Sequence, residues 1–233
     1  MYRVWQKLCA ELIGTYLFVF FAAGVVCADQ QLRAASQTGI GLVGIALVRG
    51  LAFAILVCAL SQVSGGHFNP AITIGAWVTR KIGSLQALFY GIAQALGAMA
   101  AAWTLTRLIP DQVWRATGLA TPDLAAEISR TQGILFELLL TFFVVFIFFA
   151  MIVDAGTDTL HSARLGGFAA GLAIFVGTLV GSPYTGASMN PAMALGTAVV
   201  SQHWTNHGIY WAGPMLGGVI GGWLYHALFA RNS

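Results

Sequence analysis

Two short stretches decide the fold: Ser64–Val78, SGGHFNPAITIGAWV, and Thr185–Val200, TGASMNPAMALGTAVV. Each has a glycine-containing approach, then Asn-Pro-Ala, then about ten residues compatible with a helix. Asn caps a helix well, and Pro suits its first turn because the missing N–H had no partner there. Ten residues at about 1.5 Å each give about 15 Å, half of a hydrocarbon core of about 30 Å. Each stretch therefore predicts a half-helix preceded by extended backbone. At membrane depth such backbone survives only when buried in protein or lining a wet cavity.

The composition makes lipid the expected solvent. The 233 residues are 58% hydrophobic and 8% charged, with a mean hydropathy of +0.79, whereas soluble domains carry about 25% charged residues. A net charge of +3, spread along the chain, excludes a nucleic-acid partner. Cys9, Cys27 and Cys58 lie in apolar runs without metal-ligand spacing, as small hydrophobes do. No metal or cofactor is expected, and without a nucleophile–base pair the chain does not read as an enzyme. Arg3 and Lys7 precede an apolar run, but Glu11 interrupts it and no clear cleavage site follows, so a retained first span is expected.

Six segments are apolar enough to span: roughly 6–28, 40–62, 83–107, 133–153, 165–183 and 208–229. They fall into two halves that repeat. Asn69 and Asn190 are 121 positions apart, CAELIGTY around Glu11 matches LFELLLTF around Glu137 at an offset of 126, and AQALGAM around Gln94 matches AGPMLGGV around Pro214 at 120. Three spans per half is odd, so the second half enters the membrane inverted and the two half-helices meet near the midplane. The expected fold is an all-α membrane protein of six transmembrane helices plus two half-helices. It forms a single domain over 1–233, with repeat 1 at about 5–107, a loop at 108–132 and repeat 2 at about 133–230. Arg3, Lys7, Arg80, Lys81, Arg164 and Arg231 fall on one side against Arg33, Arg107, Arg115 and Arg130 on the other, which favours both termini in the cytoplasm.

Two Asn-Pro-Ala half-helices in inverted three-span halves resemble the aquaporin, or major intrinsic protein, family over about residues 5–230. The resemblance implies an aquaporin-like passive channel for water or small uncharged solutes, a homotetramer in the bilayer of a bacterial inner membrane with one pore per subunit. It places Asn69, Pro70, Ala71, Asn190, Pro191 and Ala192 at the pore centre and His67 in a vestibule. The physics agrees: helix N-termini meeting head to head present positive dipole ends, which repel cations, while the two Asn amides donate to a passing oxygen. Glu11 and Glu137 are intramembrane carboxylates, either functional or acceptors for the irregular backbone before each half-helix.

At one site the chain departs from the family. The family's narrow filter usually has an arginine directly after the second Asn-Pro-Ala, where this chain has Met193. The filter position twenty residues before Asn69, often aromatic, is Arg49; the remaining two are Thr178 and Ala187. Arg49 stands in ALVRGLAFAILVCAL, Ala46–Leu60, with no acidic neighbour. Facing lipid it would cost several kcal/mol. Facing a wet constriction it stays solvated, and it would supply from across the pore the charge missing at Met193. Snorkelling to the headgroups or burial against another subunit are the alternatives. Thr178 and Ala187 widen such a filter while Arg49 and Met193 narrow it, a lining suited to hydroxylated neutral solutes such as glycerol, urea or metalloid hydroxides like arsenite. A coupled secondary transporter or a closed structural membrane protein are the competing readings.

Overall fold

The chain is described by a computed structural model over residues 2–153 and 159–229, with the side chains of 159–164 outside the description. Arg164 and Arg231, two of the cations in the orientation argument, therefore lie outside the described residues. The elements in order are α1 (Val4–Ala34), α2 (Gly41–Ser64), α3 (Pro70–Val78), α4 (Ser84–Leu108) and α5 (Asp111–Thr117). Then come α6 (Arg130–Phe148), continued by a π-turn at Phe149–Val153, α7 (Thr159–Thr185), α8 (Pro191–Ser201) and α9 (Ile209–Phe229). No strand occurs among the described residues.

Among the described residues five helices are long and apolar enough to cross a membrane. The sixth expected span, α9, has 21 residues, but its glycines, Tyr210, Tyr225 and His226 dilute its hydropathy. The first span runs to Ala34, beyond the expected end near 28, because a polar turn continues it. There Asp29 accepts from the Arg33 guanidinium at 2.7 Å and from the Gly41 N–H at 2.8 Å, which ties the end of α1 to the start of α2. The segment expected as a loop at 108–132 contains α5 and a 3-10 turn at Gly118–Ala120.

The half-helices tie the two halves together. α3 packs on α9 and α8 packs on α4, each against a long helix of the other half. Backbones approach so closely there that a Cβ on Gly75 would lie 2.8 Å from the Gly218 carbonyl oxygen, and one on Gly196 would lie 2.5 Å from the Ala98 carbonyl carbon. Gly97, Gly213, Gly217 and Gly221 likewise face the backbone of a neighbouring helix, as expected of small residues in membrane bundles. Gly91 differs from them: within the subunit nothing lies within 4 Å of its Cβ direction.

Candidate functional site

α3 and α8 start alike. Asn69 and Asn190 have extended backbones (φ −157° and −148°), and their Oδ1 atoms accept from the N–H of Ala71 and Ala192 at 2.8 and 3.0 Å. Asn190 Oδ1 also accepts from Met193 N at 3.3 Å. Because the oxygens face the helices, the amide nitrogens face each other's segment. Asn69 Nδ2 donates to the Met189 carbonyl at 2.8 Å, and Asn190 Nδ2 donates to the Phe68 carbonyl at 2.9 Å. An amide has two N–H groups, so one on each Asn is left for a further acceptor.

The approach to each half-helix is strained. The residue before each Asn is left-handed, Phe68 at φ 49° and Met189 at φ 51°, as is Ala187 at φ 49°. Each such non-glycine residue costs on the order of 1–3 kcal/mol unless its surroundings hold it. The two carboxylates do that. Glu11, fully buried, accepts from the N–H groups of His67 (3.0 Å) and Phe68 (2.8 Å), from Ser64 Oγ (2.6 Å) and from Gln94 Nε2 (2.7 Å). Glu137, also fully buried, accepts from the N–H groups of Ser188 (3.0 Å) and Met189 (2.8 Å) and from Thr185 Oγ1 (2.7 Å). Every oxygen of both carboxylates is engaged.

Sequence reasoning missed a second matched pair. Tyr90 Oη donates to the Ser64 carbonyl at 2.7 Å and Tyr210 Oη to the Thr185 carbonyl at 2.9 Å, closing the last turn of the helix that enters each strained segment. The two tyrosines stand 120 positions apart, the offset already found for the AQALGAM and AGPMLGGV stretches, so the repeat contained the signal.

The Arg49 side chain is 5% exposed and points into the bundle. Its Nε donates to the Ala22 carbonyl of α1 at 3.3 Å, and Nη1 donates to the Gly186 carbonyl at 3.2 Å. Arg49 and Glu137 meet the same segment, Arg49 at the Gly186 carbonyl and Glu137 at the Ser188 and Met189 N–H groups, without forming an ion pair. Gly186 adjoins Ala187, so Arg49 meets the second strained segment beside one expected filter position. Met193, Ala187 and Thr178 are all buried, and the Thr178 hydroxyl finds no hydrogen-bond partner. One turn beyond Arg49 on the same face of α2 stands Phe53, edge-on to Phe18 at 5.4 Å and to Phe68 at 6.3 Å. That spacing from Arg49 was the sequence signal for Phe53, and it went unread. His67 is 4% exposed; its Nδ1 meets Thr73 Oγ1 at 3.1 Å, and its ring lies edge-on to Tyr90 and Phe148.

The chain is similar to known proteins along nearly its whole length. The family described as major intrinsic protein matches residues 1–225. Aquaporin-4 of Mus musculus is 37% identical over 228 residues, covering 98% of this chain and 68% of that protein. Aquaporin TIP4-1 of Zea mays is 38% identical over 228 residues, covering 96% of this chain and 86% of its own length. Among solved structures, the aquaglyceroporin from Plasmodium falciparum superposes with a TM-score of 0.84 at 21% identity, covering 97% of both chains. At that identity the likeness speaks for the fold.

Proposed function

Since the chain belongs to the major intrinsic protein family and is a passive transmembrane channel for water or small uncharged solutes, we propose that its path is guarded by a filter with a transposed charge. In this reading Arg49, Thr178, Ala187 and Met193 form the outer constriction, and the Asn69–Asn190 pair forms the central one. The observation that carries it is the position of the Arg49 guanidinium, held by two backbone carbonyls of different elements. A guanidinium has five N–H donors, so three remain for a permeant oxygen. The free Thr178 hydroxyl adds a polar group able to donate and accept. Such a lining suits neutral solutes with several hydroxyl or amide groups: glycerol, urea and metalloid hydroxides such as arsenite, with water.

The assembly reading is a homotetramer of single-domain subunits in a bacterial inner membrane, with one pore each and both termini cytoplasmic. Coupled transport is disfavoured because Glu11 and Glu137 spend both oxygens on backbone and side-chain donors, leaving neither free to carry a coupling ion.

The test is stopped-flow light scattering and potassium conductance on proteoliposomes of the wild type, Arg49→Ala, and Arg49→Ala with Met193→Arg. A fixed charge acts more strongly in a low-dielectric pore than in water. The single variant should raise glycerol and urea permeability more than water permeability and admit potassium. The double variant should restore much of the exclusion, with the charge where the family usually carries it. A folded Arg49→Ala protein with unchanged solute flux and unchanged conductance removes Arg49 from the permeation path.

A further inference from the structure

The end of the first half-helix carries a feature that permeation does not use. α3 stops at Val78, far short of the full-length helices beside it, and the chain turns back into α4 at Ser84. The turn is closed by Arg80 N donating to the Trp77 carbonyl (2.9 Å) and Lys81 N to the Ala76 carbonyl (2.8 Å). Arg80 adopts a left-handed backbone (φ 60°), and both cationic side chains stand exposed at the rim of an open cavity of about 680 Å³. Neither has an acidic partner among the described residues, and the sequence has no Asp or Glu between Asp29 and Asp111.

A second cavity, about 430 Å³ and apolar, runs from that rim along α4 toward α9, with Leu88, Gly91, Ile92 and Met215 on its walls. Its inner end reaches Pro70 and Ala192 at the starts of both half-helices. Trp77 and Ser84 line both cavities, and the Trp77 indole N–H donates to Ser84 Oγ at 3.0 Å where they join. A basic cup therefore opens directly into an apolar groove, with a half-exposed tryptophan at the boundary. Basic pockets between membrane helices bind anionic headgroups, and tryptophan favours the headgroup level.

We propose that this composite cavity is a binding site for one anionic glycerophospholipid per subunit. The phosphate headgroup sits between Arg80 and Lys81, and one acyl chain lies in the groove past Gly91. Free phosphate would use only the cup, and a zwitterionic lipid would gain little from two cations that have no acidic partner among the described residues. The groove is open at Gly91 because that residue lacks a side chain where the neighbouring helices leave room for one.

The test uses the full-length protein in mild detergent, titrated with phosphatidylglycerol and with phosphatidylcholine of the same acyl chains and read by native mass spectrometry. The wild type should retain phosphatidylglycerol several-fold more strongly. Arg80→Gln and Lys81→Gln should each cost about fivefold, bringing the double variant to the phosphatidylcholine level. These side chains are exposed, so the fold is not at stake. Gly91→Leu places its side chain in open space and should fold normally, helix propensity favouring it, while displacing the acyl chain and weakening phosphatidylglycerol by several-fold. Equal retention of the two lipids by the wild type overturns the proposal. So does a loss in the Gln variants with no change in Gly91→Leu and competition by inorganic phosphate, which marks a phosphate site alone. Crosslinking of Gly91→Cys to a second copy of the chain gives the groove to a subunit contact and also overturns it.

Discussion

The two strained segments, 64–69 and 185–190, share their backbone path, their Asn caps, their tyrosine clasp and a central carboxylate. They differ in how that carboxylate is balanced. Glu11 meets four neutral donors, the fourth being Gln94 from α4. Glu137 meets three, and the position matched to Gln94 is Pro214, which offers no donor. What the second segment has instead is Arg49, which donates to its Gly186 carbonyl at 3.2 Å. One segment is closed by a neutral amide and the other by a cation reaching over from α2. The difference explains how an arginine can sit inside an apolar helix: it is solvated by two backbone carbonyls, one of them in the strained segment it braces. It also predicts that the segments respond unequally to equivalent substitutions.

The largest expected effect is on stability. Glu137→Gln leaves a backbone N–H of the second segment facing an amide NH2, with no neighbouring amide able to turn and compensate. Losing such acceptors costs on the order of 1–3 kcal/mol per orphaned donor. Glu11→Gln should cost less, because the Gln94 amide can flip: its Oε1 has no partner now, and once turned it can accept from the new amide. Thermal unfolding in detergent should rank the wild type above Glu11→Gln and Glu11→Gln above Glu137→Gln. Equal losses would mean that Gln94 and Arg49 do not distinguish the segments.

Next comes function at the centre. Asn69→Asp or Asn190→Asp replaces an amide that caps one helix and donates to the other segment. The remaining carboxylate offsets the positive field of two helix ends. Both variants should lose neutral-solute flux and gain cation leak, measured as potassium conductance in proteoliposomes. The symmetry of the two hydrogen bonds predicts similar losses, and a large inequality would show that permeants meet the two amides differently.

Most of this architecture is legible in the sequence because it rests on local chemistry. Asn-Pro at a helix start, half a membrane thickness of helix after it, and a carboxylate recurring in each half are all matters of spacing. Partners set by tertiary distance are not legible in that way. The Arg49 contacts with Ala22 and Gly186 join residues 27 and 137 positions away, and no local pattern encodes them. Gly91 looks like its neighbour Gly97, yet only Gly97 faces a helix backbone. Helix α5 was hidden because seven residues between Pro110 and Gly118 resemble a loop until they pack.

A smaller effect is expected at the tyrosine clasps. Tyr90→Phe and Tyr210→Phe each remove one hydrogen bond to a buried carbonyl, at about 1 kcal/mol. Because Arg49 braces the second segment and not the first, Tyr210→Phe should be the better tolerated of the two when Arg49 is present. In an Arg49→Ala background that advantage should vanish, a coupling that a double-mutant cycle of melting temperatures reads directly.

The smallest effect concerns the strap over the second segment, for which the first has no counterpart among the described residues. The strap runs across residues 122–125: Ala125 N donates to the Tyr184 carbonyl at 2.9 Å, and Pro122 packs over Gly186. Asp123 anchors it, accepting from His203 Nε2 (2.9 Å), Asn206 Nδ2 (3.0 Å) and Leu124 N (2.8 Å). Burial pushes the Asp123 carboxyl up, but these hydrogen bonds outweigh it and hold the carboxyl below its ordinary value. A carboxylate depressed on folding stabilises the native state above its unfolded pKa of about 4, and that contribution is lost as pH falls through the lower folded value. The strap should therefore loosen only in acid below about pH 4, and the side chain's partial exposure keeps the gain small. Asp123→Asn should remove the acid dependence and leave neutral-pH solute flux within about twofold of wild type, since no permeation group is touched. Hydrogen exchange at residues 184–188, followed from pH 6 to pH 3, reads the outcome. Protection that falls equally in the wild type and in Asp123→Asn would detach the strap from Asp123.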